Sequence, residues 1–146
     1  MPSNMSFVLT SCGRPELLNR TLISFFKFND YKFKDLFLVE DSFDENMYEK
    51  IKNRWGKHLK IICNKQKKGQ IKSIVDTYKL IDTPYIFHCE DDWIYTRKNF
   101  IKESLKILET DEKIIQVWLE SKKSASRLDI FTYGEVKKMC IIINLM

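Results

Sequence analysis

Three carboxylates stand in a row, Glu90-Asp91-Asp92, at the end of the apolar run Tyr85-Ile86-Phe87-His88-Cys89. Such a run reads as a buried strand. Charged carboxylates cannot share that burial, because an unpaired one pays a large desolvation cost or gives up its charge. They must stay wet, be paired or bind a metal. At the C-terminal end of a central strand they would face the crevice where open α/β sheets bind ligands. Hard oxygen donors suit Mg²⁺ or Mn²⁺, ions that commonly arrive with phosphates. The competing reading is a solvated acidic turn. The buried strand before the acids favours the ligand site.

A second acidic pair, Glu40-Asp41, follows another apolar run, Leu36-Phe37-Leu38-Val39. A carboxylate there can accept hydrogen bonds from a base or a sugar hydroxyl. The alternative is an acid interacting with a helix N-terminus, which suits Asp44 and Glu45 better. Lys65, Lys67, Lys68 and Lys72 bracket Gly69 at a predicted helix start. Helix N-termini with lysines favour phosphate, and Lys72 is the one selected. The pattern is not a P-loop. Arg14 precedes a helix, where the dipole does not favour a cation, so it needs an anionic ligand or a neighbouring acid. His88 sits inside a strand and is expected to be a packed core residue rather than a base. Trp93 could stack on a ligand ring or close the core.

These residues need elements to position them. Strands are expected over 6–11, 35–39, 59–63, within the stretch 85–93, and over 114–119. Pro15 opens a helix to about residue 28, with Leu18, Leu22, Phe25 and Phe26 on one face. Asp44 caps a second helix carrying Met47, Tyr48, Ile51 and Trp55, and Gly56 stops it. A third carries the stripe Ile71, Ile74, Val75, Tyr78 and Ile81, and Pro84 bounds it. A fourth starts at Thr96 or Asn99, with Ile101, Leu105 and Leu108 inward. Alternation of strands and helices predicts an α/β fold, a mostly parallel central sheet with helices on both faces. Right-handed crossovers then gather Thr10 to Arg14, Glu40-Asp41, Asn64 to Gly69 and Glu90 to Trp93 at one sheet edge. The apolar end, 139–146, reads as a terminal strand that completes the sheet or pairs with a second copy.

The chain of 146 residues is expected to form a single domain. Its hydrophobic share of 44% argues against disorder, and 4 glycines and 3 prolines argue against a turn-rich all-β fold. A net charge of +5 from scattered lysines points to no nucleic acid partner. Cys12, Cys63, Cys89 and Cys140 form no C-x-x-C pair and read as free core thiols of a reducing, cytoplasmic compartment. No apolar run reaches the roughly 18 residues of a transmembrane segment.

Residues 7–25, from Phe7-Val8-Leu9-Thr10-Ser11-Cys12-Gly13-Arg14-Pro15 onward, resemble the opening of family 2 glycosyltransferases of the GT-A fold. Val39-Glu40-Asp41-Ser42 is similar to that family's second-strand acidic motif. Asn64, Gly69 and the helix after them also fit. Phe87-His88-Cys89-Glu90-Asp91-Asp92-Trp93 stands where the family's D-x-D motif falls, here written E-D-D. The resemblance covers about residues 6–120. It implies a Rossmann-like nucleotide-sugar (donor) binding core there, using Mn²⁺ or Mg²⁺. The donor would be UDP- or GDP-linked, and the acceptor a carbohydrate or glycan hydroxyl. Thr10, Ser11 and Cys12 with Glu40 and Asp41 would hold the base and ribose. Glu90 or Asp91 would approach the ribose, and Asp92 would bind the metal.

The family's second half, with its acceptor site and catalytic carboxylate, has no counterpart in 121–146. That stretch reads as a short C-terminal extension, with the chain apparently truncated after its donor half. Glu120 and Asp129 are weak candidates for a base, and the catalytic residue stays unknown. Two other readings remain. One is a nucleotide-sugar-binding protein without transfer activity. The other is a receiver-like phosphoacceptor domain, suggested by Leu38-Val39-Glu40-Asp41-Ser42 with Asp91 or Asp92 as the acceptor. It leaves residues 6–34 unexplained and lacks the expected late lysine.

Overall fold

The structure, a computed structural model, describes residues 3–119 and 140–144, the latter by backbone alone. Its elements run β1 (Met5–Ser11), α1 (Pro15–Phe28), β2 (Leu36–Glu40), α2 (Glu45–Trp55), β3 (Lys60–Cys63), α3 (Gln70–Tyr78), β4 (Tyr85–Glu90), α4 (Phe100–Leu108), β5 (Gln116–Leu119) and β6 (Cys140–Asn144). The sheet order is β3-β2-β1-β4-β6-β5. The first four strands are parallel, and β6 runs antiparallel to both of its neighbours. β1 is therefore central, between β2 and β4. The segment that a receiver domain leaves unexplained is the middle of this sheet.

The terminal strand lies inside the sheet. It pairs with β4 on one side and β5 on the other. Both its edges are taken, so the expected route to a homo-oligomer through a free C-terminal strand is closed. Glu120 and Asp129 lie outside the described residues.

Alternation along the strands sorts the core. Met5, Phe7 and Leu9 with Tyr85, Phe87 and Cys89 face α1, α2 and α4 and join Leu22, Phe25, Trp55 and Phe100 in one large cluster. Phe7 stacks on Phe25 at 4.4 Å between ring centroids and on Phe87 at 5.9 Å. Burying one such ring contributes about 2–3 kcal/mol. The opposite face holds a smaller cluster, Val8, Phe37 and Ile86, against Ile62, Tyr78 and Ile81.

Helix starts follow local chemistry. Pro15 opens α1, and Asp44 accepts a hydrogen bond from the Met47 amide at the start of α2. α3 departs from expectation in length and orientation. It ends at Tyr78, and its buried residues are Ser73 and Thr77. Ile71 is 81% exposed and Val75 47% exposed. The helix turns its small polar side inward because Ser73 bonds Asn64 from the site, described below.

Two glycines take left-handed backbone, Gly13 with φ +68° and Gly69 with φ +83°. A Cβ added at Gly69 would have nothing within 4 Å. Gly69→Ala should therefore cost about 1 kcal/mol through backbone strain alone, read by urea unfolding. A loss of several kcal/mol would mean packing that the structure does not contain.

Candidate functional site

Four loops meet at the carboxyl edge of β1, β2, β3 and β4, and polar contacts lock them together. Asp41, just past β2, is buried. Its Oδ1 accepts from Asn64 Nδ2 at 2.6 Å and from the Lys68 amide at 2.9 Å, and its Oδ2 accepts from the Gly69 amide at 2.8 Å. Burial would push the Asp41 carboxyl up. The bonds from Lys68, Asn64 and Gly69 outweigh it and hold the carboxyl below its ordinary value. Asn64 also donates to Ser73 Oγ at 2.9 Å, which turns α3 towards the site. Lys68 pairs with Asp76 at 3.0 Å. Asp41 thus organises the loop 64–69 as well as standing in the cavity wall.

Glu40 differs from expectation. It is fully buried and does not line the cavity. Its Oε1 accepts from the Gly13 amide at 2.8 Å and the Ser42 amide at 3.0 Å, tying the loop after β1 to the loop after β2. Oε2 has no hydrogen-bond partner among the described residues. Glu40 positions the loop that carries Cys12 and Arg14, and a ligand cannot reach it in this arrangement.

The three acids at the end of β4 take three roles. Asp91 is fully buried and accepts from Ser11 Oγ at 2.8 Å, from Arg14 Nε at 3.2 Å and from Arg14 Nη2. Arg14 thereby has its partner, a neighbouring acid in a two-pronged pair. Its Nη1 also stands 3.7 Å from Asp92 Oδ2. Burial alone would lower the Arg14 pKa; the hydrogen bond and charge of Asp91, with Asp92 and Glu90 behind it, raise it. Glu90 lines the cavity and accepts from Gln70 Nε2. The Asp92 side chain is largely buried.

The cavity between these loops has a volume of about 250 Å³. Thr10, Ser11, Cys12, Arg14, Asp41 and Glu90 from the sequence reading all line it. Lys67 and Gly69 line it too, within the 64–69 loop expected at this edge; Val39, Gln70 and Ser73 also line it, and the sequence reading did not place them there. Lys72 is exposed and outside the wall, where Lys67 stands instead. The signal for Gln70 and Ser73 was their i, i+3 spacing, which shares one helix face. The more conspicuous apolar stripe on α3 pointed to the other side. Cys12, expected in the core, is exposed at the cavity, whereas Cys89 is buried as expected. Burial, with Glu40, Glu45 and Asp44 nearby, pushes the half-buried Cys63 thiol up.

His88 lies behind this wall, 6% exposed. Burial depresses its pKa from 6.5 to about 4 and raises that of Tyr78 above its ordinary value. The phenol therefore keeps its proton and shares a hydrogen bond with His88 Nδ1 at 2.9 Å, while Nε2 meets Thr10 Oγ1 at 3.5 Å. His88 is neutral in the folded chain. Its folded pKa lies below its unfolded one, so its contribution is intact above pH 6.5 and is lost as the pH falls towards 4. The loss should reach about 3 kcal/mol in urea unfolding and vanish in His88→Gln. Equal pH dependence in both proteins over that window would contradict a buried neutral histidine.

No protein-family model and no curated protein matches the chain. Solved structures do. The mannosyltransferase PcManGT from Pyrobaculum calidifontis, in complex with GDP-Man and Mn²⁺, matches with a TM-score of 0.67 at 10% identity, over 77% of this chain and 34% of that one. S. aureus TarS 1-349 matches with a TM-score of 0.58 at 16% identity, over 72% of this chain and 32% of that one. A second TarS structure gives 0.53 at 18% identity, over 72% and 19%. The chain thus spans a third or less of these proteins, apart from a slightly larger share of PcManGT. At such identities the likeness shows fold and nothing finer. The fold is the α/β sheet of GT-A-like glycosyltransferases, four parallel strands flanked by helices.

Proposed function

We propose that this chain is the donor-binding half of a glycosyltransferase. It would bind a UDP- or GDP-linked sugar with Mn²⁺ or Mg²⁺ and present it to an acceptor hydroxyl. The single observation that carries this reading is the cavity at the carboxyl edge of β1, β2, β3 and β4, where open α/β sheets take their ligands. Its chemistry suits a nucleotide. Asp41 keeps its charge and has capacity to accept from a base. Thr10, Ser11 and Gln70 offer donors and acceptors for base and ribose. α3 begins at the cavity without a side-chain cap, so its first amides are open to phosphate. Arg14 and Lys67 add positive charge. The cavity is smaller than the roughly 300 Å³ at which small-molecule clefts begin, so it suits part of the ligand, with the sugar extending past Glu90.

The donor set also suits a shared metal. Among the described residues no group of three His, Cys, Asp or Glu side chains could hold an ion alone. Asp91 is occupied by Ser11 and Arg14. Asp92, with Glu90 near it, would supply one or two carboxylates, and a diphosphate would supply the rest, as Mg²⁺ and Mn²⁺ sites commonly do. A bound ion there would neutralise charge building on the leaving diphosphate.

Release of GDP or UDP from GDP-mannose and UDP-linked sugars by the purified chain tests transfer or hydrolysis. Binding of these donors without release would leave a nucleotide-sugar-binding protein. No binding of any would remove the proposal.

A further inference from the structure

α3 is oriented against its own hydrophobic pattern. Its buried residues are Ser73 and Thr77, four positions apart, and the Asn64 bond to Ser73 holds that side inward. The opposite side carries Ile71, 81% exposed, and Val75, 47% exposed, also four positions apart. They form one apolar strip rather than two scattered residues.

Lysines frame the strip. Lys72 and Lys79 are exposed beside it, seven positions apart and hence on one side of the helix. Lys68 stands just before α3 and pairs with Asp76 at 3.0 Å, and Lys79 lies 3.7 Å from the same carboxylate. Between residues 64 and 80, Lys65, Lys67, Lys68, Lys72 and Lys79 stand against the single acid Asp76, leaving four of the chain's five net positive charges in this segment. The lysines of the chain are scattered, but their excess over acids is not.

An apolar strip edged by ammonium groups matches one kind of surface. An anionic bilayer offers phosphates to the lysines and an apolar boundary to Ile71 and Val75, at the depth an interfacial helix reaches. Lysine stems follow the apolar side chains inward while their heads stay at the phosphates. A second copy of the chain suits the strip poorly, since it sets lysines against lysines. A protein groove that takes a helix reads a further anchor at i+7. Here that position is Tyr78, whose hydroxyl is bonded to His88. Nucleic acid would satisfy the lysines and leave the strip in water.

We infer that the outward side of α3 is a docking surface for an anionic lipid bilayer, with Ile71 and Val75 entering the headgroup region and Lys72 and Lys79 at the phosphates. None of these four residues lines the cavity, so docking needs neither nucleotide nor metal.

Co-sedimentation of the full chain with vesicles tests this. Vesicles of phosphatidylcholine mixed with phosphatidylglycerol should bind the chain at least about tenfold more tightly than phosphatidylcholine alone, and high salt should weaken that binding. The double variant Ile71→Ser, Val75→Ser keeps every lysine and should bind the anionic vesicles at least about tenfold more weakly. Lys72→Gln with Lys79→Gln should also weaken anionic binding. Ile23→Ser, at a half-exposed position of α1 on the other face of the sheet, should bind as wild type does. Circular dichroism checks that each variant is folded. Equal affinity for both kinds of vesicle, or binding to neither, would overturn the inference. Anionic binding that survives the loss of Ile71 and Val75 would reduce it to adsorption by charge alone and overturn it too. A wild-type dimer in analytical ultracentrifugation that the same double variant converts to monomer would assign the strip to a second copy instead.

Discussion

Asp41→Ala is expected to lower the unfolding free energy by about 3 kcal/mol and to abolish measurable nucleotide binding with or without metal. The size follows from what Asp41 holds. Three donors end on its two oxygens: the side chain of Asn64 and the amides of Lys68 and Gly69. Truncation leaves buried donors unsatisfied and frees the loop between β3 and α3. The first turn of α3, which supplies Gly69, Gln70 and Ser73 to the cavity, loses its anchor with it. Stability is read by urea unfolding and binding by calorimetry. Asp41→Asn should fall between wild type and alanine, because one amide oxygen can still accept. A stability change under about 0.5 kcal/mol in Asp41→Ala would mean that the loop is held by something else.

Asp92→Asn should show the opposite signature. Its fold is expected to stay within about 0.5 kcal/mol of wild type, since asparagine keeps the shape and the principal Arg14 pair is with Asp91. Nucleotide affinity measured with Mn²⁺ should drop at least about tenfold, or 1.4 kcal/mol, to the level seen with chelator. Affinity without metal should hardly change. Identical nucleotide affinity in Asp92→Asn and wild type, with Mn²⁺ present, would remove the metal assignment from Asp92. The contrast between these two substitutions separates a residue that builds the cavity from one that serves its ligand.

Much of the fold was legible because its signals are local. The apolar run before Glu90, proline at the start of α1, Asp44 before α2 and the alternation of strands with helices each rest on a few adjacent residues. Their consequence, the gathering of four loops at one edge, followed from handedness alone. What the sequence hid was which polar group would be consumed by another. Glu40 and Asp41 are neighbours of the same type. Strand alternation sends one carboxylate inward to Gly13 and Ser42 and leaves the other at the cavity wall. Arg14 and Asp91 lie 77 positions apart, and nothing local pairs them. α3 misled for a different reason. Hydrophobic periodicity assumes that a helix buries its apolar side, whereas Asn64 and Ser73 turn this helix by a hydrogen bond next to the site. The terminal strand was visible as an apolar run, but its insertion between β4 and β5 depends on pairing across the whole chain.

The most direct measurement is a calorimetric titration of GDP and of UDP into the full chain, once with Mn²⁺ and once with chelator. Saturable binding of one nucleotide at one site per chain is expected, tighter with Mn²⁺ and weakened by Asp41→Ala. No binding of either nucleotide in either condition, in a chain shown to be folded, would contradict the assignment of the cavity to a nucleotide-linked donor.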